Sequence, residues 1–170
     1  MTITYVGVDP GITGAVAWIS GRDYGVFDLP TMTASDNGKV RWMVDGAELA
    51  YLLTANVPKP PPSNEVRAAL EQTSAMPGQG VASMFSMGHS FGACHGVLGT
   101  LGYDLTLVRP AQWKKDLGIG RKKGEDADVG KAKSMSLARK HFPKAPLERI
   151  KDHNRAEALL LAHWMKTKEQ

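Results

Sequence analysis

Four carboxylates stand where the chain makes its turns. Asp9 closes a β-rich run, Ile-Thr-Tyr-Val-Gly-Val (3–8), and precedes Pro10-Gly11, a turn signal. Glu71 closes a second strand-like run, 65–72. Asp152 and Glu157 flank the start of the last helical pattern, 153–168. Carboxylates brought together repel one another unless a cation lies between them. Hard divalent cations take oxygen ligands and substrate phosphates. Two such ions, ~3.5–4 Å apart, stabilise both the attacking and the leaving oxygen of an in-line phosphoryl displacement. If folding gathers these four acids, metal-assisted phosphodiester hydrolysis is the chemistry open to them.

Each acid also has a plain structural use. Asp9 can cap a turn, and Glu71 can sit on a strand edge. Asn154 and Glu157 fit an N-x-x-E capping box, and Asp152 can complement the helix dipole. On a helical wheel His153 and Glu157 share a face, whereas Asp152 reaches that face only from before the first turn.

Positioning these residues requires strands, turns and a terminal helix, and the pattern supplies them. Strands are expected at 3–8, 14–19 and 24–29, joined by short turns into an antiparallel meander. A polar stretch, 31–41, reads as a surface loop, and 44–53 as a helix ended by the proline run 58–62. A strand at 65–72 leads through the loop 74–80 to a long helix at 81–101. That helix carries Gly88, Gly92, Gly96 and Gly99, a pattern of close backbone approach, and is the candidate dimer interface. A strand at 103–108, a short helix at 111–117, a glycine- and charge-rich loop at 119–128, and helices at 131–141 and 153–168 complete the chain. The order β-β-β-α-β-α-β-α-α-α is that of an α/β mixed sheet.

Composition narrows the setting. The chain has 170 residues, the length of one domain, 1–170. One cysteine excludes an internal disulfide framework and a multi-cysteine zinc site. The N-terminus lacks a signal-peptide pattern, and no apolar stretch approaches the ~20 residues that span a bilayer, so the expectation is a soluble, intracellular, cytoplasmic protein without membrane contact. The net charge of +4 conceals a division. Residues 1–108 hold five basic and nine acidic side chains, whereas residues 109–170 hold the other sixteen basic and eight acidic ones. A basic C-terminal third points to a polyanion, most simply nucleic acid. Lys114, Lys115, Arg121, Lys122, Lys123 and Arg155 are the candidate phosphate contacts; six neutralised phosphates would give a salt slope near −5. Met76 and Gln79, in the loop after Glu71, are candidates to wedge beside a base and to read a base edge.

Four stretches resemble one family. They are Tyr-Val-Gly-Val-Asp-Pro-Gly-Ile-Thr-Gly-Ala-Val-Ala (5–17), Leu-Glu-Gln-Thr-Ser-Ala-Met-Pro-Gly-Gln-Gly-Val-Ala-Ser-Met-Phe (70–85), Arg-Pro-Ala-Gln-Trp-Lys-Lys (109–115) and Lys-Asp-His-Asn-Arg-Ala-Glu-Ala-Leu-Leu-Leu-Ala (151–162). In this order they resemble the RuvC-like Holliday-junction resolvases, particularly those of phages and prophages and the chloroplast junction resolvase. The resemblance implies a ribonuclease H-like fold, a five-stranded mixed sheet (three antiparallel strands, then two parallel) flanked by helices. It implies a homodimer that binds four-way branched DNA and nicks two strands symmetrically, leaving 5′-phosphates, with no small-molecule cofactor. It implies two Mg²⁺ (or Mn²⁺) ions held by Asp9, Glu71 and a pair at the start of the last helix. An Asp-x-x-Asp pattern would map that pair onto Asn154 and Glu157, and Asn154 is a poor ligand. The pattern Asp-His-x-Arg-Ala-Glu maps it onto Asp152 and Glu157, the preferred pair, with His153 still open as a ligand. Two rivals share these features: a ribonuclease H-like nuclease acting on hybrids or other branched DNA, and a non-catalytic junction-binding protein. An ATP-binding actin-like protein is disfavoured, because a second phosphate-binding glycine motif is missing.

Overall fold

A computed structural model describes residues 3–36, 39–59, 65–75 and 78–169. The meander is present as β1 (Thr4–Asp9), β2 (Ala15–Ser20) and β3 (Asp23–Asp28), paired antiparallel. Gly14 is required in the β1–β2 turn, because a Cβ there would collide with the Asp9 carbonyl oxygen. Two further strands, β6 (Val66–Glu71) and β7 (Asp104–Val108), add in parallel on the other side of β1. The sheet order is β3-β2-β1-β6-β7, the mixed five-stranded arrangement expected.

The stretch 31–41, expected to be an irregular loop, instead forms a hairpin of β4 (Thr31–Asp36) and β5 (Lys39–Val44), paired in register from Thr31↔Val44 to Asp36↔Lys39. Its signal is in the sequence: Asn37-Gly38 between alternating runs is a strong short-range hairpin mark, set within a polar composition that is otherwise that of a loop.

Helices cover both faces. On one lie α1 (Gly46–Asn56), N-capped by Asp45, and α2 (Val81–Thr100). They share a core with Val6, Val8, Val16, Ala68 and Leu70. On the other lie α3 (Pro110–Asp116), α4 (Ala127–His141) and α5 (His153–Thr167), over Ala15, Ala17 and Ala69. The helix expected from 131 starts four residues earlier because Asp126 caps it, its carboxylate accepting the Asp128 N–H at 3.0 Å.

The period of two along β1 explains the arrangement. Val6 and Val8 face α1 and α2, which leaves Tyr5, Gly7 and Asp9 on the α5 side. A Cβ on Gly7 would collide with the Ala158 carbonyl oxygen and the Ala162 nitrogen, so α5 lies directly on the β1 backbone. Residues 158–162 of α5 are all buried, with Ala156, Trp164 and Met165. In β6 the same alternation sets Glu71 on the face of Ala69, toward α5.

Candidate active site

Asp9 and Glu71 end the neighbouring strands β1 and β6, on the face that α5 covers. Glu157 lies in the second turn of α5, one turn before Leu161, which packs at Gly7. The three acids meet at one end of the sheet. Asp9 Oδ1 accepts the Gly11 N–H at 3.3 Å. Glu71 Oε2 accepts the indole N–H of the fully buried Trp113 at 2.8 Å. Glu157 Oε1 accepts from Lys114 Nζ at 2.8 Å and from Ser134 Oγ at 3.1 Å.

The electrostatics are those of carboxylates held together. Burial pushes Asp9 up to about 6, helped by the Glu157 charge and opposed by the Gly11 N–H, Lys114 and His153. Burial and then the Asp9 charge push Glu71 up to about 7, against the Trp113 hydrogen bond and Lys114. Such shifts mark a site that lacks positive charge. Lys114 supplies one cation, in an ion pair with Glu157. Among the described residues, no three His, Cys, Asp or Glu side chains stand close enough to grip one ion as they are placed. The donor chemistry nonetheless fits a hard divalent cation: three carboxylates, two of them raised by burial and mutual repulsion, with an ammonium already drawn in.

At the start of α5, Asp152, His153 and Asn154 have different surroundings. Asp152 ends a 3-10 turn, Ile150–Asp152, and is 1% exposed. Its Oδ2 accepts the Arg149 backbone N–H at 2.8 Å, and its Oδ1 accepts the Arg149 guanidinium at 2.7 and 3.0 Å. These bonds hold its carboxyl below the usual range. The carboxylate preferred in the sequence as the fourth ligand is thus engaged by Arg149. His153, one position on, is the residue of this pair whose charge acts on Asp9. Asn154 forms no capping box; its Nδ2 donates to the Thr13 carbonyl and, at 3.1 Å, to Thr13 Oγ1, tying α5 to the β1–β2 turn. A cleft of about 420 Å³ opens there, lined by Thr13, Asp28, Arg149, Asp152, His153 and Asn154.

The basic candidates separate. Lys114 is inside the site. Arg155 directs its fork at Asp28, with one bond of 2.7 Å, and is a clamp between α5 and the end of β3 rather than an open phosphate contact. Lys115, in α3, and Arg121, Lys122 and Lys123, beyond it, remain on the surface, with Arg121 donating to the Glu125 carbonyl at 2.8 Å. Gln79 donates to Ser83 Oγ at 3.3 Å while its Oε1 is buried without a hydrogen-bond partner. Met76 lies outside the described residues. Sequence reasoning missed Trp113 and Ser134; the only sign of Trp113 was its place beside Lys114 in the 109–115 stretch.

The sheet order, with helices on both faces and acids at the ends of β1 and β6, defines a ribonuclease H-like fold. RuvC of Thermus thermophilus is a solved protein with a similar fold. The structure of that protein in complex with Holliday junction substrate superposes with a TM-score of 0.54 at 14% identity, over 99% of this chain and 96% of that one. A second Thermus thermophilus RuvC structure gives a TM-score of 0.52 at 17% identity. In sequence, the chain is 34% identical over 122 residues to the chloroplastic Holliday junction resolvase MOC1 of Chlamydomonas reinhardtii, a match covering 69% of this chain and 13% of that much longer protein. No family model matches the chain.

Proposed function

We propose that this chain is a metal-dependent endonuclease that resolves four-way DNA junctions by paired nicks. The convergence of Asp9, Glu71 and Glu157 around Lys114, at one end of a RuvC-type sheet, carries the reading. The likeness to MOC1 supports the substrate. Mg²⁺ or Mn²⁺ held by Asp9, Glu71, Glu157 and His153, two ions in all, would activate a water and neutralise charge on the leaving 3′-oxygen, so that the product carries a 5′-phosphate. The chain's own groups prepare that site. Trp113 fixes the Glu71 carboxylate from below. Lys114 holds Glu157 and brings positive charge to where the phosphate must lie. Lys115, Arg121, Lys122 and Lys123 draw the backbone along the adjoining surface.

Two symmetric nicks call for two sites, and α2 offers the face for a homodimer. At Gly88, Gly92, Gly96 and Gly99 a Cβ would meet no atom within 4 Å, which leaves room along α2 for a second copy. A reducing compartment, the cytoplasm or an organelle matrix, suits the buried Cys94 thiol. No helix among the described residues is long and apolar enough to cross a membrane.

Incubation with a mobile four-way junction, a matched duplex and an RNA–DNA hybrid, with and without Mg²⁺, tests the reading. Symmetric metal-dependent nicks in the junction alone are expected. Asp9→Asn and Glu71→Gln should each abolish cutting and keep junction binding; wild-type cutting by either would remove these residues from the site. A second reading, a non-catalytic junction-binding protein, is favoured by one observation: among the described residues the acids that meet at the sheet end do not stand close enough for three of them to hold one ion. Junction binding with no cutting in any metal would select it.

A further inference from the structure

Glu157 is the one acid of the cluster carried by a helix, and two groups fix it through the same oxygen. Lys114 Nζ reaches Oε1 at 2.8 Å from α3, and Ser134 Oγ reaches it at 3.1 Å from α4. The two donors differ in how they respond when the site fills. Lys114 is a partly exposed ammonium on a flexible stem. A divalent ion repels it and a phosphate attracts it, so both draw it off the carboxylate. Ser134 is 1% exposed, on a short side chain in the middle of α4, and carries no charge for either to act on. It lies on the buried face of that helix, with Met135 and Ala138. An apolar residue would pack there without cost, whereas a buried hydroxyl needs an acceptor. Two are in reach, Glu157 Oε1 and, at 3.2 Å, the Gly130 carbonyl one turn earlier. A hydroxyl has one proton and serves one of them at a time. The carboxylate is the stronger acceptor.

The other acids are held in the same manner. Asp9 accepts the Gly11 N–H on Oδ1, and Glu71 accepts Trp113 on Oε2. Among the described residues, Asp9 Oδ2, Glu71 Oε1 and Glu157 Oε2 accept no hydrogen bond. Each acid is anchored by one oxygen and offers the other.

We propose that Ser134 is a positioning residue for metal binding: its buried hydroxyl anchors Glu157 by Oε1 and keeps Oε2 available to the ion. The inference rests on the metal-dependent reading and adds to it the group that prepares Glu157. Ser134 touches neither ion nor substrate and acts only through the carboxylate. Hydrogen bonds to a metal-binding side chain from such outer groups are worth ~10–100-fold in metal affinity.

Calorimetric titration of the DNA-free protein with Mn²⁺ tests this without reference to activity. Ser134→Ala should weaken Mn²⁺ binding about tenfold. In junction cutting, the Mg²⁺ concentration giving half the maximal rate should rise by a similar factor, while junction affinity without metal stays unchanged. Ala138→Gly, on the same buried face of α4, controls for a loosened helix; it should lower the melting point and leave Mn²⁺ affinity at the wild-type value. An equal loss of Mn²⁺ affinity in Ala138→Gly would overturn the proposal by tracing the effect to helix packing. If the wild type binds Mn²⁺ and Ser134→Ala matches it, the positioning role alone falls, and the hydroxyl merely serves the Gly130 carbonyl. If the wild type binds no Mn²⁺, the metal-dependent reading falls and takes this inference with it.

Discussion

Asp9 and Glu71 are held where a proton suits them better than a charge. Burial pushes their carboxyls up to about 6 and about 7, from ordinary values of 3.8 and 4.5. Between those limits the native state binds more protons than the unfolded chain, so these two groups lower stability as pH rises from about 4 to 7. Asp28 and Asp152 are shifted down by Arg155 and Arg149, and their contribution is lost only as pH falls below the ordinary carboxylate range. The metal-free protein should therefore melt highest between about pH 4 and 6, and Asp9→Asn should stabilise it by about 1–3 kcal/mol at pH 7.5 but not at pH 4. Thermal melts across pH, repeated with Mg²⁺, check this; a midpoint that rises steadily from pH 5 to 8 without metal would contradict the assignment. The fourth ligand is decided on the same scale. His153→Ala should reduce cutting at least about tenfold with the melting point unchanged. Asp152→Asn should instead cost about 1–3 kcal/mol of stability and leave cutting in place, because what it loses is the Arg149 bonds. The reverse pair of results would return Asp152 to the site.

At the scale of elements, alternation along two strands was readable and did most of the placing. Val6 and Val8 against Gly7 and Asp9 define which side of β1 carries chemistry before any contact is known. Gly7→Ala tests that arrangement. Its methyl would meet the α5 backbone, which cannot move as a side-chain end can. A loss of about 1–3 kcal/mol or more is expected in denaturant unfolding, with cutting impaired because Glu157 rides on α5. What the sequence left unread was tertiary. A helical wheel cannot orient residues 152–154, since Asp152 is turned by Arg149 and Asn154 by Thr13, partners 3 and 141 positions away. The β4–β5 hairpin is obscured for a different reason: its polar composition is that of a loop, and only the two-residue turn signal marks the strands.

For the whole molecule, the division between an acidic first part and a basic last part survives, though its bookkeeping changes. Two of the six cations expected on phosphates are engaged by carboxylates, Lys114 by Glu157 and Arg155 by Asp28. Four remain, so the salt dependence of junction binding should have a slope near −3.5 per chain rather than near −5. A titration of affinity against salt distinguishes the two values, and the steeper one would mean that Lys114 and Arg155 leave their partners when DNA arrives. The positions of the acids along the chain have a consequence in time. Residues 9 and 71 are made early, but Glu157 and the helix that presses on Gly7 are made late. Until α5 has left the ribosome, β1 has nothing on its chemical face and the cluster has no third carboxylate. If the chain cuts DNA as proposed, that capacity cannot precede α5 in synthesis, because Glu157 and the helix over Gly7 belong to it.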